Sequence, residues 1–352
     1  MRRKNYALFM ALPGNSFSDA ILSGAIKSTE EENANLFVFP YGIIDGRFKD
    51  MEACHYKYQY HVCDGFFSSD SIDGVIVEYG TIVSDIAEER KNTFLSRIGD
   101  MPTYLLSEDA EGFASICFDN YGLRDVIVHL IEEHHCRRIG YVSGPKDNHD
   151  ARDRLDIYRS IVKEYQLGLT EEYIVYGNFS IYSKEIVAEL LDRNLNLDAI
   201  VFANDDMAVG GYSVFEERGI QPGKDLLVTG FDNIPSSAMV KPKLTTVSAD
   251  AMDLSYQAIK RMSAGVKPQG EQRIHTKMVK RQSCGCSEEL FFDQHGVFLG
   301  SKSEEEYYQY SVRQLDKLEK NKDLFGELEL VMREVVFNQD SREKSMCYSG
   351  EL

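Results

Sequence analysis

The chain has 352 residues, which is long for one domain and ordinary for two. Its formal net charge of -18 argues against a broad nucleic-acid surface, because such a surface needs clustered lysine and arginine. Its seven cysteines are scattered and odd in number, which fits a reducing compartment such as the cytoplasm better than a disulfide framework.

Strands and helices alternate from the beginning of the chain. The N-terminus has a basic start and a short apolar run, as a signal peptide has, but no clean small-residue cleavage site follows. We therefore interpret residues 6–12 as a buried first strand. No stretch approaches the roughly 20 apolar residues of a membrane helix. The other elements predicted in this half are strands at 35–40, 74–80 and 102–107 and helices at 17–32, 46–60 and 82–98.

The same alternation continues through the second half of the chain. Continuous apolar strands between helices indicate parallel sheets covered on both faces. There are too many such units for one sheet, so we predict an α/β fold of two doubly wound parallel-sheet lobes joined by a hinge. The predicted elements are strands at 115–120, 138–144, 173–177, 199–205 and 226–233 and helices near 121–134, 150–167, 183–194 and 206–218.

The pattern changes after about residue 285. A long amphipathic helix follows, with apolar residues three or four positions apart, and we expect it to connect or to pair two subunits as a homodimer. The predicted domains are an N-terminal lobe over 5–136 with 247–268 crossing back, a C-terminal lobe over 137–246 with 269–284, a linker over 285–303, a connecting or pairing helix over 304–337 and a disordered tail over 338–352.

Polar residues follow several predicted strands. Asn204 and Asp205 end one strand, Asp232 and Asn233 end another, and the run GPKDNHD ends a third. Ligands of parallel sheets bind beyond the carboxyl ends of the strands, so a cleft between two lobes would collect these side chains. Adjacent carboxylates at a helix start mostly cap backbone amides, and we expect that role for Asp205 and Asp206.

The motifs for metal binding and catalysis are weak. The soft ligands HHC at 134–136 and CGC at 284–286 are far apart in sequence, no CxxC exists, and histidine or arginine commonly ends a helix. The chain also lacks GxxxxGK[ST], GxSxG and HExxH motifs. We therefore predict no metal, no cofactor and no enzymatic activity.

Ligand binding remains. Arg154 follows GPKDNHD on a predicted helix, and its guanidinium could hold a carboxylate, a phosphate or sugar hydroxyls. Asp232 could accept two hydroxyl donors, and Phe17 and Phe179 could stack on a ring. The alternative is that Arg154 and Asp232 form an ordinary surface ion pair.

Four long motifs follow one another along the chain: ICFDNYGLRDVIVHLIEEHHCRRIGYVSGP, HDARDRLDIY, AIVFANDDMAVGGYSVFEERGIQPGKDLLVTGFDN and KPKLTTVSAD. Their order resembles the effector-binding domain of the LacI/GalR family, which shares its fold with periplasmic sugar-binding proteins. The third motif is the most specific match, and the resemblance covers roughly residues 5–284.

The resemblance implies a set of ligand contacts. Glu108 is the weaker candidate, because its loop is shorter here. The family pattern implies that Asn204 faces the cleft. The implied ligand-binding residues are Asn15, Ser16, Phe17, Glu108, Asn148, Asp150, Arg154, Phe179, Asn204 and Asp232.

The chain also departs from the family pattern. No helix-turn-helix headpiece precedes the first strand, Ile157 stands where the family often has glycine, and HYKYQYHVCDGFF is longer than usual. This segment, SCGC and the trailing helix resemble a branch whose sensors are joined to diguanylate cyclases.

The resemblance implies a cytoplasmic, dimeric sensor of a sugar, nucleoside or purine. It would make no direct DNA contact and would regulate transcription or a downstream signalling domain. The alternatives are an exported solute-binding protein of a sugar transporter and an enzyme on a doubly wound fold.

Overall fold

A computed structural model of the protein describes residues 2–11, 16–41, 71–84, 86, 88–287, 290–292 and 298–301. The chain forms two parallel sheets, as the alternation of strands and helices predicted. The first sheet has six strands, which are β1 (Asn5–Met10), β2 (Asn35–Pro40), β3 (Gly74–Val77), β4 (Thr103–Leu106), β5 (Ala114–Phe118) and β11 (Glu271–Ile274). Their order across the sheet is β11-β5-β4-β3-β1-β2, and every pair is parallel.

Helices cover both faces of the first sheet. Alternate residues of β1 show this, because Leu8 packs in one core cluster with helix α1 (Ser16–Glu31) and Phe9 packs in another with helix α3 (Glu88–Ile98). A short helix α2 (Tyr79–Ile82) follows β3 on the second face. Helix α8 (Ala251–Ser263) packs along α1, and continuous apolar strands are buried between the layers.

The second sheet has four strands, which are β6 (Ile139–Ser143), β7 (Ile174–Tyr176), β8 (Ala199–Phe202) and β9 (Leu227–Thr229). They are parallel and lie in the order β7-β6-β8-β9. Two further short strands, β10 (Thr246–Ser248) and β12 (Lys277–Val279), pair antiparallel with each other. The helices are α4 (Tyr121–Glu132), α5 (His149–Glu164), α6 (Lys184–Asp192) and α7 (Asp205–Glu217).

The structure divides the chain between the lobes differently from the sequence-based boundaries. We expected residues 5–136 in the first lobe, but α4 packs against α5, β10 and β12 of the second. We expected 269–284 in the second lobe, but β11 pairs with β5 and completes the first sheet. Periodicity identifies a helix or a strand, but it does not tell which sheet the element joins.

Several predicted segments lie outside the described residues: the helix at 46–60, the connecting helix at 304–337 and the tail at 338–352. Within the predicted linker at 285–303, β13 (Leu290–Phe292) and β14 (Phe298–Ser301) form an antiparallel pair. Among the helices that the structure describes, none is long and apolar enough to cross a membrane.

Candidate ligand site between the two lobes

Arg154 lies at the centre of the polar strand ends of the second sheet. It projects from α5 and is only 4% exposed. Its Nη1 donates a hydrogen bond of 2.7 Å to the carbonyl oxygen of Ala203, directly after β8. Its guanidinium carbon lies 3.8 Å from the ring centroid of Phe231 and 5.9 Å from that of Phe179. The aromatic rings and the carbonyl therefore hold the guanidinium in one orientation.

Two carboxylates flank this guanidinium without forming close hydrogen bonds to it. An oxygen of Asp150 lies 3.9 Å from Nη2, and an oxygen of Asp232 lies 3.9 Å from Nη1. The Nε of Arg154 is buried, and no hydrogen-bond partner for it is found within the described parts of the chain. Arg154 and Asp232 therefore do not form an ordinary surface ion pair, because the guanidinium is buried and not all of its hydrogen-bond donors are used.

Burial raises the pKa of both carboxyl groups. The pKa of Asp232 rises to about 7, mainly by burial, while Arg154 lowers it and Asp206 and Asp150 raise it. The pKa of Asp150 is also raised by burial, which outweighs the attraction of Arg154. The backbone of Asp232 has a φ of 107°, an unusual value for a residue with a side chain. Such strain is common where a binding group is aimed at a ligand.

Asn148 and Asn204 cap the two helices that point towards this group. The side chain of Asn148 accepts a hydrogen bond from the amide of Ala151, and that of Asn204 accepts one from the amide of Met207. The side-chain nitrogen Nδ2 of Asn204 also donates a hydrogen bond of 3.2 Å to the carbonyl oxygen of Phe179. Both asparagines therefore position the site, and each keeps only part of its hydrogen-bonding capacity for a ligand.

Asp205 and Asp206 lie in the first turn of helix α7, as expected, but Asn204 rather than either aspartate caps the helix. Asp205 is fully buried and accepts hydrogen bonds from the Thr246 hydroxyl at 2.6 Å and the Ile234 amide at 3.0 Å. Burial, followed by the charge of Asp232, raises the pKa of Asp205 well above its usual value. Asp205 therefore joins α7 to the segment that carries Asp232.

The segment around Asp232 is also held from the other side by Arg281, a residue that the sequence analysis missed. Arg281 is buried and donates to the side chain of Asn233 at 2.6 Å, to the hydroxyl of Ser237 and to the carbonyl oxygen of Leu244. A buried arginine far along the sequence carries no motif that could have revealed this role.

The candidates of the first lobe are less completely defined. Asn15 lies outside the described residues, Ser16 begins α1, and Phe17 is partly buried against the core. Glu108 is buried and pairs with Lys91 of its own lobe, so its carboxylate is already engaged. No sequence motif singles out Glu78, which also belongs to this part of the lobe.

Glu78 holds the start of α1 next to the cleft. It is fully buried after β3, and it accepts hydrogen bonds from the amide of Ala11 at 2.9 Å and the hydroxyl of Ser18 at 2.7 Å. Burial raises the pKa of its carboxyl, and the bonds from Ser18 and Ala11 oppose that rise. Glu78 therefore links the end of β1 to the first turn of α1, where the predicted contacts of this lobe lie.

The first lobe and α5 meet beside the candidate residues. Nε2 of His149, the first residue of α5, lies 3.6 Å from a carboxylate oxygen of Asp109. An oxygen of Asp153, one turn later, lies 3.9 Å from Nη1 of Arg273 on β11. These contacts place the N-terminal turn of α5, and therefore Asp150 and Arg154, at the boundary between the lobes.

Asp119 ties together two of the chain segments that pass between the lobes. It accepts hydrogen bonds from the amide and hydroxyl of Thr276 and from the amide of Tyr121, and it pairs with Nδ1 of His275 at 2.6 Å. Burial alone would raise the pKa of Asp119, but the hydrogen bonds from Thr276, His275 and Tyr121 together lower it. The hinge therefore contains a charged hydrogen-bonded junction.

The fold also brings together the two motifs that were set aside as metal ligands. HHC and CGC are far apart along the chain, but His134 and Cys286 are neighbours in space. His129 and Cys284 complete the same cluster, which lies away from Arg154. His129 belongs to neither motif, so no local spacing could have identified it.

Part of the chain is similar to known proteins with a periplasmic binding protein-like domain. Residues 127–284 match the model of a periplasmic binding protein-like domain. Over 158 residues the chain is 31% identical to the HTH-type transcriptional regulator GalR of Escherichia coli K12, which covers 44% of this chain and 46% of that protein. Over 132 residues it is 33% identical to the ribose operon repressor of the same strain, a match that covers 37% of this chain and 40% of that protein. The chain therefore spans less than half of the length of these two relatives.

Solved structures show the same fold. The Lac repressor bound to ONPG has a TM-score of 0.66 at 20% identity, covering 80% of this chain and 82% of that one. A complex of the regulator CelR with cellobiose also has a TM-score of 0.66 at 20% identity, covering 80% and 85%. Residues 127–284 are therefore similar to a periplasmic binding protein-like domain, and the two parallel sheets share the fold of these solved structures.

Proposed function

We propose that the chain is a sensor that binds a small polar molecule between its two lobes and transmits binding by a change in lobe arrangement. The observation that carries this proposal is the buried Arg154, which rests on two aromatic rings between Asp150 and Asp232 at the carboxyl end of the second sheet. A buried guanidinium beside two half-buried carboxylates is costly unless a partner uses these groups.

The composition of the site supports a sugar, a nucleoside or a purine as the ligand class. The carboxylates accept hydroxyl or amino donors, the guanidinium donates, and Phe179 offers a face near Arg154. The structure of the similar regulator CelR contains cellobiose, and one relative is named as a repressor of a ribose operon. Both names favour a carbohydrate over a nucleoside or a purine as the ligand.

We further propose that the protein works in the cytoplasm as a homodimer and that its output is transcription or a signalling enzyme. The relatives are named as transcriptional regulators, which favours regulation over transport or turnover. A structural neighbour is a Lac repressor dimer bound to its operator. We expect any DNA contact to lie outside this chain, because its net charge is -18.

Native mass spectrometry and a thermal-shift panel test the proposal. The purified chain is expected to carry or capture one compound from a panel of pentoses, hexoses, disaccharides, nucleosides and purines, and to melt at a higher temperature with it. The compound recovered after incubation should be unchanged. A chemically converted compound would support the enzyme alternative, and no stabilisation by any member of the panel would contradict the proposed ligand class.

A further inference from the structure

Four metal-ligating side chains converge at the end of α4, away from the candidate ligand site. His129 lies in the last turn of α4, and His134 follows the end of that helix. Cys284 and Cys286 lie in the segment after β12, about 150 residues further along the chain. One ligand atom from each residue lies within 4.8 Å of all the others. No other cluster of three or more such side chains is found in the described parts of the chain.

The distances among the ligand atoms of His129, His134 and Cys286 match those around a tetrahedral ion. The two Nε2 atoms of His129 and His134 are 3.2 Å apart, and Sγ of Cys286 lies 3.4 Å from the first and 3.3 Å from the second. Ligand bonds of about 2.0 Å to nitrogen and about 2.3 Å to sulfur separate tetrahedral neighbours by about 3.3–3.5 Å. A small shift of the Cys284 thiol, now 3.4 Å from the carbonyl oxygen of Arg281, would complete the set.

The backbone between the two cysteines suits this arrangement. Gly285 has a φ of 90°, a conformation that residues with side chains rarely adopt. A Cβ at this position would lie 3.2 Å from Cδ2 of Leu227 and 3.4 Å from Cε1 of His134. Glycine therefore allows a tight turn against the imidazole, which places the thiols before and after it within 4.8 Å of the two histidine nitrogens.

We propose that His129, His134, Cys284 and Cys286 bind one zinc ion as a closed structural site. Two thiolates and two imidazoles are a donor set that suits zinc, and two thiolates balance its charge. All four positions would be filled by the protein, so the site would stabilise rather than catalyse. It would join the segment that leaves β12 to the end of α4 and so fix the point from which the chain continues beyond residue 287.

Metal content and cobalt absorption test the site directly. The full chain, purified with its thiols reduced, is expected to retain about one zinc per molecule by elemental analysis. Replacement of that zinc by Co²⁺ should produce the thiolate charge-transfer and d–d bands of a tetrahedral site. His134→Ala and Cys286→Ser should lose the stoichiometric metal and change these bands. His135 is an exposed neighbour outside the cluster, so His135→Ala is the matched control. This variant should keep the bound metal and the unchanged absorption bands.

A second measurement covers variants that fold poorly. Removing zinc from the unmodified chain with a chelator should lower its melting temperature, and adding zinc back should restore it. Reduced chain that binds neither zinc nor Co²⁺ would overturn the proposal, as would equal metal binding by the Cys286→Ser variant. The chain as purified could instead hold a disulfide between Cys284 and Cys286, which mass spectrometry would show as a loss of two hydrogen masses. If such chain takes up no metal after its disulfide is reduced, the proposal is also overturned. These readouts do not depend on the proposed ligand.

Discussion

At the scale of single residues, the molecule gathers two half-buried carboxylates around one buried guanidinium. Arg154, Asp150 and Asp232 were predicted as ligand contacts from their positions after strands and from the family resemblance, and the structure brings these three together. The raised pKa values of Asp150 and Asp232 were not predictable from sequence. They depend on burial by residues of α5, α7 and the strand ends, which only the folded chain assembles.

Asp232 makes stability depend on pH. Its pKa of about 7 exceeds that of an unfolded aspartate, about 3.9, so the folded chain holds this proton more tightly. The contribution of Asp232 to the free energy of unfolding therefore falls as the pH rises from about 4 to about 7. Asp232→Asn removes this cost and should raise the melting temperature at about pH 8 relative to wild type, with little change at about pH 4.

The same substitution should weaken ligand binding. An ionised Asp232 accepts hydroxyl donors, so wild-type affinity should increase between about pH 6 and about pH 8. Asp232→Asn should lose that dependence and bind about tenfold to 100-fold more weakly at the higher pH, since a hydrogen bond to a charged group is worth about 1.5–3 kcal/mol. Asp156→Asn, an exposed substitution on α5, is the control. Unchanged affinity in the Asp232 variant would remove this carboxylate from the site.

At the scale of elements, close packing of helices fixes how the chain returns to the first lobe. Helix α8 crosses back beside α1, and a Cβ on Gly24 would lie 2.1 Å from the carbonyl oxygen of Met252 and 2.5 Å from the Ser255 hydroxyl. Only glycine permits this approach. Sequence periodicity predicted α1 nearly as it is, but the contact between two helices over 200 residues apart has no signature in a single sequence.

Gly24→Ala should therefore destabilise the protein more than an ordinary surface change. The added methyl meets backbone rather than a flexible side chain, so α1 and α8 must move apart, and such overpacking typically costs about 1–3 kcal/mol. Ser23→Ala on the same helix removes only a bond to the Asp19 carbonyl and should change stability by about 0.5 kcal/mol or less. Urea denaturation of both variants measures the difference, and equal midpoints would show that the two helices can separate without cost.

At the scale of the whole molecule, the two-lobed α/β architecture followed from the alternation of strands and helices, whereas the division between lobes did not. Helix α4 and strand β11 were each assigned to the wrong lobe, because their apolar patterns fit either sheet. The segment at 304–337, predicted as a connecting or pairing helix, lies outside the described residues and stays a prediction.

The oligomeric state tests that prediction. We expect the full chain to be a dimer in solution that weakens when residues 300–352 are deleted, because a narrow apolar stripe on a helix needs a partner to pack against. Light scattering over a range of concentrations on the full chain and on residues 1–299 makes the comparison. If both are equally dimeric, the lobes themselves hold the subunits together and the C-terminal segment does not.

The most direct test of the central claim is a calorimetric titration of the ligand found in the panel into wild type, Arg154→Ala and Arg159→Ala. Both arginines lie on α5, but Arg154 is buried in the site and Arg159 pairs with Glu171 on the outer surface. We predict that Arg159→Ala binds as wild type does and that Arg154→Ala loses binding by at least about tenfold to 100-fold while still melting cooperatively. Wild-type affinity in a folded Arg154→Ala variant would contradict the claim that the ligand binds at this guanidinium.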